Sequence, residues 1–266
     1  MELGLKGKVV LVTGSSKGIG RSIVAAFARE GCRVVINGRS QKELDTAAAE
    51  MRGGSSEVHV VVADVMQAEG AKLAVEETVR RFGTIHILVN NAGGIGRFAS
   101  FEELSDQEWL DVLNLNVLST VRVTRAALPY MQRQKWGRII NISSESGTQP
   151  DPMMPHYNSS KAALNCLTKS LSKAYGKDGI LINTVSPAFI RTPLVEEMFA
   201  GQAKAKGITV DQAEKEMLRD FRPNIALGRA GRPVETAGIV VFLASDQASF
   251  ITGSNYRVDG GSVASI

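Results

Sequence analysis

Only two cysteines, Cys32 and Cys166, occur in 266 residues, both inside apolar segments. That excludes a disulfide framework and a cysteine-rich zinc motif, and points to a reducing cytoplasm. Histidine is nearly as scarce: His59, His86 and His156 show no metal-ligand spacing. No apolar run approaches the roughly 18 residues that a membrane span needs, and the opening "MELGLKGKVVLV" lacks a signal-peptide pattern. Also missing is any run of Lys and Arg interleaved with aromatics. The net charge of +4 is therefore read as solvated helix faces plus an anionic cofactor, with no nucleic-acid partner and no membrane. Ser144 has no G-x-S-x-G turn around it and no accompanying His/Asp partner pattern, which argues against a serine hydrolase.

What is present is an alternation. Short β-branched runs at 8–13, 33–37, 57–63, 86–90, 137–143, 180–186 and 255–258 read as strands. Between them, helical periodicity covers about 18–30, 41–51, 68–82, 106–133, 157–177 and 233–245. Continuous apolar strands alternating with helices imply a seven-stranded parallel sheet covered on both faces, in one α/β domain over 1–266. Its ligand crevice is expected beyond the C-terminal ends of the strands. The irregular stretch 187–232 contains "GITVDQAEKEMLRDF", where Thr209 and Gln212 form a capping box before Ala213, Met217 and Phe221 on one face. So long an excursion in a compact domain is read as a small helical lid, about 193–228.

The first strand runs into "TGSSKGIG", with Gly14, Gly18 and Gly20 ahead of a helix. Glycines allow a tight turn and close approach of backbone to a pyrophosphate, which a helix N-terminus stabilises. A structural turn is the rival reading, and the strand before and helix after favour a dinucleotide. At the end of the second strand, in "INGRS", Gly38 occupies the place of the usual ribose-binding acid and Arg39 follows. A guanidinium suits a 2′-phosphate, and Lys17 adds positive charge, so NADP(H) is favoured over NAD(H).

Tyr157 and Lys161, in "YNSSK", stand one helical turn apart. They share a face, so the ammonium is expected to favour phenolate and lower the tyrosine pKa toward working pH. A phenol so tuned exchanges a proton with a carbonyl or alcohol oxygen. Ser143 and Ser144 end the fifth strand, where a hydroxyl can polarise that oxygen. Successive strand residues face opposite sides, so only one of the two serines addresses the crevice.

The runs "TGSSKGIG", "NNAG" (90–93), "NISS" (141–144), "YNSSK" (157–161) and "SPAFIRT" (186–192) resemble the short-chain dehydrogenase/reductase family, and in particular its single-domain branch that includes 3-oxoacyl-acyl-carrier-protein reductases. The resemblance spans essentially the whole chain and implies a doubly wound (Rossmann) fold. It implies four catalytic residues, Asn116, Ser144, Tyr157 and Lys161, with Asn116 supporting a proton relay through water and Asn114 as its competing position. It assigns the glycine turn (Gly14, Ser16, Lys17, Gly18, Ile19, Gly20) to the cofactor, together with Arg39, Tyr157 and Lys161. Asp64 and Val65 match adenine contacts, and Asn91, Ala92 and Gly93 the ribose side. Pro187, Ile190 and Thr192 match the segment holding the nicotinamide carboxamide and phosphates. Ala188 departs from the family's common glycine after Pro187 and bears on substrate shape. The expected reaction is reversible hydride transfer between NADP(H) and a carbonyl, by a homotetramer acting on a small-molecule ketone of 3-oxoacyl type. An NAD-dependent alcohol, sugar or hydroxysteroid dehydrogenase is the alternative, and a non-catalytic dinucleotide sensor the second. His156 is read as loop packing or a substrate-side contact, Cys166 as core, and Met153, Met154 and Phe189 as pocket walls.

Overall fold

The computed structural model describes residues 2–51 and 56–265. Seven parallel strands form one sheet in the order β3-β2-β1-β4-β5-β6-β7. They are β1 (Val9–Val12), β2 (Arg33–Gly38), β3 (Val58–Val62), β4 (Ile87–Asn90), β5 (Gly137–Ile142), β6 (Ile180–Pro187) and β7 (Asn255–Val258). β1, β4 and β5 are buried throughout, as expected of parallel strands covered on both faces, and this is why they read as continuous apolar runs. The chain leaves β1 toward β2 on one side and returns to β4 on the other, so a crevice opens between β1 and β4 at their C-terminal ends.

On one face, α1 (Gly18–Arg29) and α9 (Pro233–Ala244) pack Ile23, Phe27 and Val240 against Val10, Val12 and Ile140; α2 (Gln41–Ala49) adds Leu44. On the other, α3 (Ala68–Phe82) and α5 (Ser119–Gln134) bring Val75, Val123 and Met131 onto Leu11, Leu88 and Ile139. Each such side chain contributes about 1.5–3 kcal/mol by leaving water. The result is a rigid platform whose strand ends hold the loops that follow.

The helix expected over 106–133 is interrupted. α4 (Asp106–Leu113) starts on the Ser105/Glu108 capping box, and a widened π-helical turn, Asn114–Leu118, joins it to α5. Such turns have no strong local sequence signature and recur at functional sites. α6 (Pro155–Tyr175) follows β5, and α7 (Pro193–Lys206) and α8 (Val210–Phe221) form the excursion after β6. Thr209 and Gln212 do cap α8, and Ala213 and Met217 are buried. Phe221 is not: it is exposed and meets Phe98 edge-on at 6.3 Å between centroids. No helix among the described residues is long and apolar enough to cross a membrane.

Candidate active site

A cleft of about 700 Å³ lies at the strand ends, reaching from the glycine turn past β2 and β3 to Ser144, Tyr157 and Lys161. Gly14 has φ +59°, and a Cβ there would stand 2.9 Å from the Cα of Ala92. The turn is thus closed against β4's end, and Asn91 locks it: its Nδ2 donates to the carbonyls of Thr13 (2.9 Å) and Gly14 (2.8 Å). Lys17, the N-cap of α1, makes no side-chain capping bond, which leaves the first N–H groups of the helix free at the cleft wall. This is a cradle for a phosphate group built from backbone.

Gly14, Ser16, Lys17, Gly18, Ile19, Gly20, Arg39, Asp64, Val65, Asn91, Ala92, Gly93, Pro187 and Thr192 all line the cleft. Ile190 is the exception. Its side chain is buried and turned toward Gly231, away from the cleft, because residues 190 and 231 form a parallel bridge there. Arg39 is exposed on the cleft wall, with no ion pair among the described residues. One acid reaches this corner after all: Glu43, in the first turn of α2, accepts from Ser16 Oγ (3.0 Å) and lies 3.8 Å from Lys17 Nζ. Its signal was the Ser40 N-cap, whose third following residue faces back over the helix start.

The four residues expected to be catalytic come from three elements. β5 ends at Ile142, so Ser143 and Ser144 leave the sheet in sequence. Ser143 Oγ donates to the Lys161 carbonyl (3.2 Å), which ties it to α6. Ser144 Oγ accepts from the Ser146 N–H at 3.1 Å and lies near enough to the Tyr157 hydroxyl to favour its ionised form. Ser144 is thus the serine beside the phenol. Lys161 is buried; its Nζ donates to the Ile142 carbonyl (2.9 Å) and stands 5.6 Å from the centre of the Tyr157 ring. Asn116, in the widened turn, accepts from Gly94 N–H (3.0 Å) and donates to the Gly94 carbonyl (2.9 Å) and Ser160 Oγ (3.0 Å). Asn114 is engaged elsewhere: its Oδ1 accepts from Arg122 at 2.6 Å.

The electrostatics differ from expectation. Burial pushes the Tyr157 phenol above its ordinary value; the hydrogen bond from Ser144 and the Arg222 charge oppose this, and Glu145 reinforces it. Burial acts on Lys161 too, lowering its pKa to about 8. Desolvation thus works against both charged forms, and the pair favours a protonated phenol.

Among the other expectations, His156 is fully buried, edge-on to Trp109 at 6.1 Å, and burial lowers its pKa. Cys166 is exposed on α6 rather than core, since the face it shares with Ala162 and Ala163 points out of the chain. Met154 is buried, but Phe189 packs on Phe199 under α7 at 5.8 Å instead of lining the cleft. Ala188 does line it. Arg222 was not anticipated at all.

Gly93 offers a direct test of this packing. A Cβ there would stand 2.8 Å from Asn116 Oδ1 and 3.3 Å from Lys161 Nζ. Gly93→Ala is expected to cost about 1–3 kcal/mol of stability through overpacking, and to lower kcat roughly 100-fold by displacing those two groups. Melting and steady-state rates check both.

The comparisons fit this geometry. A family model described as short chain dehydrogenase matches residues 8–203. The 3-oxoacyl-[acyl-carrier-protein] reductase of Thermotoga maritima is 36% identical over 259 residues, 97% of this chain and 99% of that protein. An uncharacterized oxidoreductase of Bacillus subtilis is 37% identical over 266 residues, 100% of both chains. Among solved structures, L-sorbose reductase from Gluconobacter frateurii, complexed with NADPH and L-sorbose, superposes with a TM-score of 0.95 at 34% identity over 100% of both chains. The glycine cradle, the Ser144–Tyr157–Lys161 cluster and this whole-length similarity together make the chain an oxidoreductase of the short-chain dehydrogenase family.

Proposed function

We propose that the protein reduces a ketone or aldehyde with NADPH, reversibly, and that Asn116, Ser144, Tyr157 and Lys161 carry the chemistry. The observation that carries this reading is the Tyr157 phenol, on the same cleft wall as Ser144 and with Lys161 Nζ 5.6 Å from its ring centre, in a cleft that fits a dinucleotide. A bound nicotinamide dinucleotide supplies the hydride. The glycine turn, Asp64, Val65 and the 91–93 segment hold it, with Pro187 and Thr192 on the opposite wall. Ser144 orients the substrate oxygen and stabilises charge developing on it. Tyr157 gives that oxygen a proton, and its upward-shifted pKa keeps the proton in place at neutral pH. Lys161 donates to the ribose side, and Asn116 supports the relay by fixing Gly94 and Ser160.

The preference for NADPH is supported by exposed Arg39 and by Lys17, which faces Glu43 at 3.8 Å. Arg39→Asp is expected to lower kcat/KM for NADPH about 10- to 100-fold, the size of a lost charge-assisted hydrogen bond, and to leave NADH much less affected. A wild-type enzyme faster with NADH would reject this assignment. The reductase relatives favour a 3-oxoacyl substrate. A second reading, a polyhydroxy ketone, is favoured by the sugar-reductase neighbour and by the charged cluster of Glu145, Asp151 and Arg222 beside Ser144. Rates with NADPH and either a 3-oxoacyl thioester or a ketose separate the two. Two free cysteines suit a cytoplasmic location, and exposed Leu110, Leu118, Ala162 and Ala163 suit helix-mediated assembly into a homotetramer.

A further inference from the structure

Buried charge occurs beside Tyr157, outside the four proposed catalytic residues, where Arg222 and Glu145 both act on the phenol. Glu145, the residue after Ser144, is 2% exposed. Arg222 Nε donates to its Oε1 at 2.6 Å, and Arg222 Nη1 donates to Asp151 Oδ2 at 2.9 Å. The two acids stand at opposite ends of the loop joining β5 to α6, one beside Ser144 and the other six residues before Tyr157. That loop is also held by Met153, whose carbonyl accepts from Ala99 N–H (2.8 Å), by Asn158, which donates to the Asp151 carbonyl at 2.6 Å, and by Gln149, which donates to the Ser262 carbonyl (3.2 Å) and accepts from Ala264 N–H (2.8 Å). Arg222 itself comes from elsewhere in the chain, as the C-cap of α8.

We propose that Arg222 is a positioning residue: by spanning Glu145 and Asp151 it sets the loop that separates Ser144 from Tyr157 and pins the C-terminal end of α8 over the substrate side. The inference rests on the reading of this cleft as a carbonyl-reducing site. α8 has a separate anchor at its other end, where Glu214 accepts from Ala230 N–H (2.8 Å) and from Arg191 (3.2 Å). Near its C-terminal end Phe221 also meets Phe98, which is half exposed. Arg222 is therefore a polar tie at that end, and neither it nor Glu145 nor Asp151 lines the cleft that fits the dinucleotide. A lysine reaches one carboxylate but not both, since only a planar guanidinium presents donors in a fork. Without a cation, Glu145 is a buried charge with no counterion, which the loop relieves by moving.

The test uses the full-length enzyme with ethyl acetoacetate as a 3-oxo ester probe. Arg222→Met is expected to raise KM for the ester about tenfold or more and to lower kcat by a smaller factor, with NADPH affinity held within about twofold. Amide hydrogen exchange over 210–222 should accelerate by a similar factor, about tenfold. Arg222→Lys should recover part of the KM. Should Arg222→Met fail to fold, the charge-free variant Glu145→Gln/Asp151→Asn/Arg222→Met removes the buried-ion penalty and carries the same two readouts. Unchanged KM, or NADPH affinity falling in step with it, overturns the proposal. Unchanged exchange overturns it independently of turnover. A wild-type enzyme inactive on every carbonyl offered counts instead against the proposed reaction, and the exchange result still decides the Arg222 contact.

Discussion

Tyr157→Phe is expected to lower turnover about 10³- to 10⁴-fold, or about 4–5.5 kcal/mol of barrier, and to leave NADPH affinity within about twofold. The phenol oxygen is the one atom removed, so the ring keeps its packing and the cleft its shape. Ser144 cannot substitute: a serine hydroxyl is a far weaker acid, and its oxygen already accepts from Ser146 N–H. Burial strengthens the expectation. It raises the Tyr157 pKa above its ordinary value, so the wild-type residue holds its proton across the neutral range, and reduction should be flat with pH there. A rate limited by phenolate would climb with pH instead. Single-turnover reduction of a ketone by bound NADPH, followed by nicotinamide absorbance, measures the loss directly. A variant within tenfold of wild type would remove Tyr157 from the chemistry, and a loss of NADPH binding would make it a structural residue.

Much of this arrangement is legible in the sequence. Fully covered parallel strands must be apolar on both faces, so β1, β4 and β5 announce themselves as unbroken runs. The glycine turn is equally plain, because only glycine tolerates the φ of +59° at Gly14 while lying against Ala92. Tyr157 and Lys161 share a face by helical periodicity alone. What could not be read depends on distance or burial. The widened turn at Asn114–Leu118 has no local propensity behind it, yet it turns Asn116 to Gly94 and leaves Asn114 to Arg122. The pKa shifts of Tyr157 and Lys161 come from the walls around them, not from their spacing. Arg222 lies 77 residues from Glu145 and 71 from Asp151, so no motif connects them. Cys166 looked like core because its neighbours in sequence are apolar, though its helix face points outward.

Lys161→Met should separate stability from activity. Lys161 is 4% exposed, and burial lowers its pKa from 10.5 to about 8, so at pH 7 the folded chain still carries a buried ammonium. A shift of that size corresponds to about 3 kcal/mol against folding. Methionine removes the penalty and fills nearly the same volume, but it leaves the Ile142 carbonyl without its donor, a cost of about 1–3 kcal/mol. The two effects nearly cancel, so the variant should melt at or above the wild-type temperature at pH 7 while turnover falls about 10³-fold or more. The pH dependence identifies the cause. Below about pH 8 both folded and unfolded wild-type chains hold the lysine proton and the penalty is constant. Between about 8 and 10.5 the folded chain sheds it while the unfolded chain keeps it, so wild-type stability rises with pH relative to the variant. Paired thermal melts at pH 7 and pH 10 read this difference, which methionine cannot reproduce. A variant that melts far below wild type at pH 7, with a gap that does not change by pH 10, would mean that the ammonium is stabilised where it lies, and that Lys161 is held there by the fold rather than for its charge.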